Sequence, residues 1–121
     1  MPRVVHFEIN ADDPKRAVEF YRQVFGWQIR KWEGPIEYWL VKTGEEGEPG
    51  IDGAIMPRMG QGTTYNTVDV RSVDEYVQKI VAAGGQVVSP KQAVPGVGYF
   101  AYVADTEGNV FGVMQDDPNA A

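Results

Sequence analysis

The chain has 121 residues, 43% of them hydrophobic and 12% aromatic, which is enough for a packed core and excludes a disordered chain. A formal net charge of −6 and a pI of about 4.7 argue against nucleic acid and anionic membrane as partners, yet leave room for a small anionic ligand held by one or two arginines. Cysteine is absent, which excludes a disulfide framework, a thiolate metal site and a cysteine nucleophile; with no apolar signal region and no run of transmembrane length, the cytoplasm is the expected compartment.

Arg3 to Ile9 alternates, with Val5, Phe7 and Ile9 on one face and Val4, His6 and Glu8 on the other, and predicts a strand. Asn10 to Pro14 predicts a helix start, capped by Asp12 or Asp13, with Pro14 in the first turn. Lys15 to Phe25 predicts the helix, its apolar stripe made by Ala17, Val18, Tyr21, Val24 and Phe25, and Gly26 stops it. Strands are predicted over Trp27–Lys31, Ile36–Thr43 and Ile51–Met56, separated by a turn at Glu33-Gly34-Pro35 and by the acidic, glycine-rich loop Gly44–Gly50. That loop reads as solvated, because three carboxylates alone do not make a calcium loop. Met59 to Thr63 is a linker.

The pattern then begins again. Thr64–Val70 is a strand, Ser72 a cap, and Val73–Ala83 a helix ended by Gly84-Gly85. Gln86–Ser89 is a strand, Pro90–Gly98 a loop, Tyr99–Ala104 a strand, Asp105–Asn109 a tight turn with Gly108 at positive φ, and Val110–Gln115 the last strand. Asp116–Ala121 is expected to fray. Val18 and Val77, Gly26 and Gly85, and Gly53 and Gly112 are each 59 residues apart. The same offset sets His6 against Tyr65 and Met56 against Gln115. The expectation is an α+β fold of one domain: module one over about 3–57, a linker over about 58–63 and module two over about 64–115. Each βαβββ module leaves one sheet face without a helix, and two modules side by side would curve into an open half-barrel sheet with a concave cavity.

Val-Val-His-Phe-Glu-Ile at 4–9, Ala17-Val-Glu-Phe-Tyr21, Phe25-Gly-Trp27, Gly84-Gly85, the run Pro95 to Tyr102 and Asp105-Thr-Glu-Gly-Asn-Val-Phe-Gly112 together span nearly the whole chain. On these motifs the chain resembles the vicinal oxygen chelate superfamily, the glyoxalase, bleomycin-resistance and extradiol dioxygenase group. The resemblance implies a divalent metal in the cavity, held by His, Glu or Gln from the first and fourth strands of each module. Those positions hold His6, Met56, Tyr65 and Gln115. His6 and Gln115 are the candidate metal ligands. Met56 offers only a soft thioether, and Tyr65 is a poor ligand while protonated.

The incomplete set predicts a protein that binds a small molecule in the concave groove without the family's full metal site. No cofactor is then expected, a divalent metal being the alternative, and with it a glyoxalase-like lyase, isomerase or dioxygenase. A third reading is a cavity filled by Met56, Trp39 and Phe111. The expected ligand-binding residues are His6, Glu8, Trp39, Met56, Tyr65, Tyr99 and Gln115, with Trp39 and Tyr99 as a stacking wall. His6 is the sole histidine, so no Ser-His-Asp set is legible. The resemblance, together with the aromatic stock, also implies a homodimer.

Overall fold

A computed structural model describes residues 2–121; Met1, which opens the N-terminal stretch read above, lies outside the described residues. The chain divides into two compact units, residues 6–65 and residues 66–121 joined by the start of the first strand. In the first, β1 (Arg3–Ala11) leads to α1 (Pro14–Phe25), then β2 (Gln28–Lys31), β3 (Trp39–Lys42) and β4 (Asp52–Pro57). In the second, β5 (Thr64–Asp69) leads to α2 (Val73–Ala82), β6 (Gln86–Val94), β7 (Gly98–Ala104) and β8 (Val110–Asp116). The strand orders are β2-β3-β4-β1 and β6-β7-β8-β5, the same order twice, with the first and last strands of each module parallel. The α+β class and the repeated βαβββ module are as expected.

Capping chemistry sets the helix starts. The Asp13 carboxylate accepts from the Arg16 N–H at 3.2 Å with Pro14 in the first turn, and Ser72 Oγ accepts from the Glu75 N–H at 3.1 Å. Gly26, at φ 70°, closes α1 in the left-handed region. In the turn before β8, Asp105 Oδ1 accepts from the N–H groups of Asn109 and Glu107. These bonds, that of Asn109 foremost, hold its carboxyl below the usual range.

Each helix covers one face of its own sheet. Val18, Ile29, Val41 and Ile55 are buried together in module one, with Phe7, Ile9, Ala17, Tyr21, Trp27 and Trp39 against them. Val73, Ala101, Val103 and Val113 form the core of module two, with Val68, Tyr76, Tyr99 and Phe111 around it. Val24 and Phe25, expected on the apolar stripe of α1, are 54% and 60% exposed; they lie in its last turn, where the Phe25 ring stacks on Trp27 at 5.3 Å.

Four element predictions need correction. β1 runs on through Asn10 and Ala11 because Asn10 N–H donates to Thr63 O at 2.8 Å and Ala11 O accepts from Arg58 N–H at 2.9 Å. The strand expected over Ile36–Thr43 begins only at Trp39. The loop expected over Pro90–Gly98 is strand as far as Val94. Pro90 has no N–H to give, but β6 is the last strand in its sheet order, and its pairing with β7 slips between Val87 and Ser89 and again between Ser89 and Gln92. The C-terminal tail does not fray: Asp117 N–H donates to Val97 O and Gly96 N–H to Ala120 O, both at 2.9 Å, and Ala120 is buried.

Ile55 is fully buried under α1. Ile55→Ala should cost roughly 2–5 kcal/mol, read as a lower urea midpoint at unchanged slope; a loss under about 1 kcal/mol would mean that the helix–sheet core is not built around it.

Candidate functional site

Strand register places the groups on the face of the module-one sheet that has no helix. Phe7, Ile29, Val41 and Ile55 point to α1, so by the two-residue period His6, Glu8, Gln28, Arg30, Leu40, Lys42, Asp52 and Ala54 point away. His6 pairs with Asp52, and Gln28 with Lys42, while Val41 pairs with Gly53. One row across the four strands therefore reads Gln28, Lys42, Asp52, His6. The next reads Arg30, Leu40, Ala54, Glu8, through the pairs Arg30–Leu40, Leu40–Ala54 and Glu8–Ala54. A groove of about 570 Å³ lies over this face, lined by His6, Gln28, Arg30, Leu40, Lys42 and Asp52 with the backbone between them.

At the β1 side of the groove a hydrogen-bonded chain links three side chains. The Tyr38 hydroxyl donates to Glu8 Oε2 at 2.6 Å and lies 2.8 Å from His6 Nε2. A phenol has one proton, and here it goes to Glu8, so the hydroxyl oxygen accepts from His6 Nε2–H. In the neutral ring this leaves Nδ1 with the lone pair. Burial lowers the His6 pKa below its ordinary value, outweighing the upward pull of Glu8 and of Asp52. Glu8 is itself buried, at 7% exposure. Tyr38 sits just before β3 and is held there by its neighbours: Trp32 N–H donates to its carbonyl at 2.8 Å, and the Trp32 ring meets its ring edge-on at 5.9 Å. Gly34 lies where any Cβ would overlap that indole.

The other expected site residues are placed as follows. Met56 is buried and, opposite in parity to Ile55, lies on the face away from α1. Tyr65 is buried and donates to Met59 O at 3.1 Å. Trp39, expected on the concave wall, shares the helix-side face with Val41 and packs into the module-one core. Tyr99 likewise packs on the helix side of module two with Ala101 and Val103, and Lys91 Nζ stands 4.6 Å from its ring centre. Phe111, expected in the cavity, belongs to the same core.

Gln115 differs most from expectation. Val113 faces α2, so Gln115 does too, and its Oε1 accepts from the Val73 N–H at 2.9 Å, a bond that satisfies one of the open N–H groups at the start of α2. The 59-residue offset misplaces it by one residue. Asn10 pairs with Met56, and Asp69, 59 residues beyond Asn10, pairs with Met114. By register the counterpart of Met56 is Met114, not Gln115.

These donors do not fit the divalent metal that the resemblance implies. The four positions hold His6, Met56, Tyr65 and Met114. Two are thioethers, which suit soft ions, and His6 has given Nε2 to Tyr38. Among the described residues no group of three or more His, Cys, Asp or Glu side chains could hold a metal ion, and no helix is long and apolar enough to cross a membrane.

The sequence also matches known proteins. The model of the Glyoxalase/Bleomycin resistance protein/Dioxygenase superfamily matches residues 3–113. Two proteins named as candidate glyoxylases (CFP32), from Mycobacterium bovis and Mycobacterium tuberculosis, are 32% identical over 114 residues. The match covers 92% of this chain and 43% of theirs, so the chain spans less than half the length of these curated relatives. Among solved structures, a methylmalonyl-CoA epimerase in complex with methylmalonyl-CoA and NH4+ superposes with a TM-score of 0.73 at 15% identity, covering 100% of this chain and 99% of that one. A single-residue variant of the Streptomyces coelicolor methylmalonyl-CoA epimerase, in complex with 2-nitronate-propionyl-CoA, gives 0.72 at 15% identity, covering 98% and 97%. The hypothetical protein BH1468 of Bacillus halodurans gives 0.71 at 15% identity, covering 99% and 98%.

Two outcomes follow from this geometry. Gln115→Ala removes a helix-start acceptor and should cost roughly 0.5–2 kcal/mol in denaturant melts, with divalent-metal binding unaltered; a lost metal site would return Gln115 to the ligand set. Unfolded His6 takes up its proton near 6.5 and folded His6 only at lower pH, so its contribution to stability is complete above 6.5 and lost as pH falls below it. The thermal midpoint should fall on acidification through that window, and His6→Gln should flatten that part of the profile; an unchanged slope in the variant would assign the effect to another group.

Proposed function

The chain belongs to the Glyoxalase/Bleomycin resistance protein/Dioxygenase superfamily, and from that premise we propose that it binds a small organic molecule in the groove on the helix-free face of module one, without the family's metal. The observation that carries this reading is the chain Glu8–Tyr38–His6 at the edge of a groove of about 570 Å³. A buried carboxylate, a tyrosine and a neutral imidazole held in one orientation beside an open cavity form a convergent polar group of the kind ligand sites use. Leu40 supplies apolar floor, and Lys42, Arg30 and Asp52 supply charge around it.

An enzymatic reading has one specific support. An imidazole kept neutral, with Nε2–H fixed by Tyr38 and Glu8, is oriented as a general base would be. On that reading the chain is a lyase or isomerase that works by proton transfer, which accords with the name its mycobacterial relatives carry.

Metal content after purification without chelator is the first test, followed by a thermal-shift screen of small organic compounds. Wild type should carry no stoichiometric metal, and compounds that raise its midpoint should lose their effect in Leu40→Trp, which fills the groove floor without adding charge. Stoichiometric metal that disappears in His6→Ala would overturn the metal-free reading. Compounds that still stabilise Leu40→Trp would place binding elsewhere. Turnover of a hemithioacetal by wild type and not by His6→Ala would decide for the enzyme.

A further inference from the structure

The two strand rows give the groove a polarity. On the β2 and β3 side stand the two cations, Arg30 and Lys42. On the β4 and β1 side stand two acceptors, the Asp52 carboxylate and His6, whose Nε2–H is committed to Tyr38. Leu40 stands beside Arg30 in the second row, two residues along β3 from Lys42, and Lys42 is the neighbour of Asp52 in the first. Neighbouring strands are about 4.8 Å apart, so the backbones of β3 and β1 are separated by roughly 10 Å, the length of a six- to eight-carbon compound. Asp52 Oδ1 already accepts from Thr43 N–H at 2.9 Å and from Thr43 Oγ1 at 3.3 Å, which fixes the carboxylate and offsets part of its charge. Lys42 has only an exposed contact with Glu45 at 3.8 Å, of a kind worth little in water. Gln28, at the outer end of the first row, can donate or accept.

We infer that the ligand of this groove is a small organic acid, its anionic group between Arg30 and Lys42 and a hydroxyl at its far end donating its one proton to His6 Nδ1, with Asp52 beside it. The inference rests on the reading that the groove binds a small molecule, and it adds the chemical class. The two ends make different demands. The cations reward negative charge without regard to its shape, and the acceptors reward a donor and are left unsatisfied by a methyl group.

The experiment uses two matched series: 4-hydroxyphenylacetate with 4-methylphenylacetate and 4-hydroxyphenylacetamide, and 6-hydroxyhexanoate with hexanoate and 6-hydroxyhexanamide. Binding is read from backbone amide shifts in two-dimensional NMR, with a panel of neutral aromatic and aliphatic compounds beside them. In at least one series the hydroxy acid should bind about tenfold more tightly than its amide and its deoxy partner, the difference expected for one hydrogen bond to a charged group. The shifts should centre on Gln28, Leu40 and Asp52. Arg30→Ala with Lys42→Ala, both at exposed positions, should weaken the acids to the level of the amides and leave the amides unchanged. His6→Phe should remove the preference for hydroxyl and keep the preference for charge. Amides that bind as well as the acids would overturn the anionic assignment. Deoxy acids that bind as well as the hydroxy acids would overturn the donor assignment. Groove shifts with the neutral panel alone would reject this ligand class and leave the groove reading standing, whereas no groove shift with any compound would reject both.

Discussion

Packing one helix against one face of a four-stranded sheet decides where every other side chain of a module goes. Ile55 and Val41 are buried under α1, and Val113 and Val103 under α2. Strand side chains alternate, so burying these residues also fixes their neighbours. His6, Glu8, Lys42 and Asp52 share a face because Phe7, Val41 and Gly53 occupy the other. The groove is thus a by-product of the core, and its chemistry is whatever the sequence places at the alternate positions. Fold and site can then vary independently, which is how one superfamily carries many chemistries.

Much of the fold is legible in the sequence because it rests on local signals. Asp13 and Ser72 cap helices as their residue types predict, and Gly26 closes α1. The repeat is visible in the spacing of valines and glycines. What escapes is information carried between strands. Gly53 and Gly112 match in identity at an offset of 59, but the register that aligns Ile9 with Ile55 aligns Val68 with Val113, an offset of 58 in the last strand. That single residue turns Gln115 from the helix-free face to the start of α2. An identity match cannot reveal this, because pairing is decided by which apolar residue the helix covers.

Tyr38 escapes for a related reason. Sequence pattern makes it an ordinary member of a strand over Ile36–Thr43, whereas it lies before β3 in a loop pinned by Trp32. Loops have no period from which a direction can be read. A weaker signal is present: Glu8 and His6 share one face of β1, and a carboxylate that becomes buried there must find a donor. The sequence holds several tyrosines that could supply it, and only the folded loop selects one. The face of His6 and Glu8 is legible, and their partner is not.

The broken pairing of β6 bears on the protein's behaviour in company. An outermost strand offers a row of unused N–H and C=O groups to any other extended segment, and long, flat, regular strands of this kind recruit copies of themselves. β6 is nine residues long, yet two register slips bend it, Pro90 removes a donor from the row, and Lys91 adds a charge beside it. A strand so interrupted is a poor template for growth by strand addition. The proline that obscures β6 in the sequence is therefore also part of what keeps separate molecules apart at that edge.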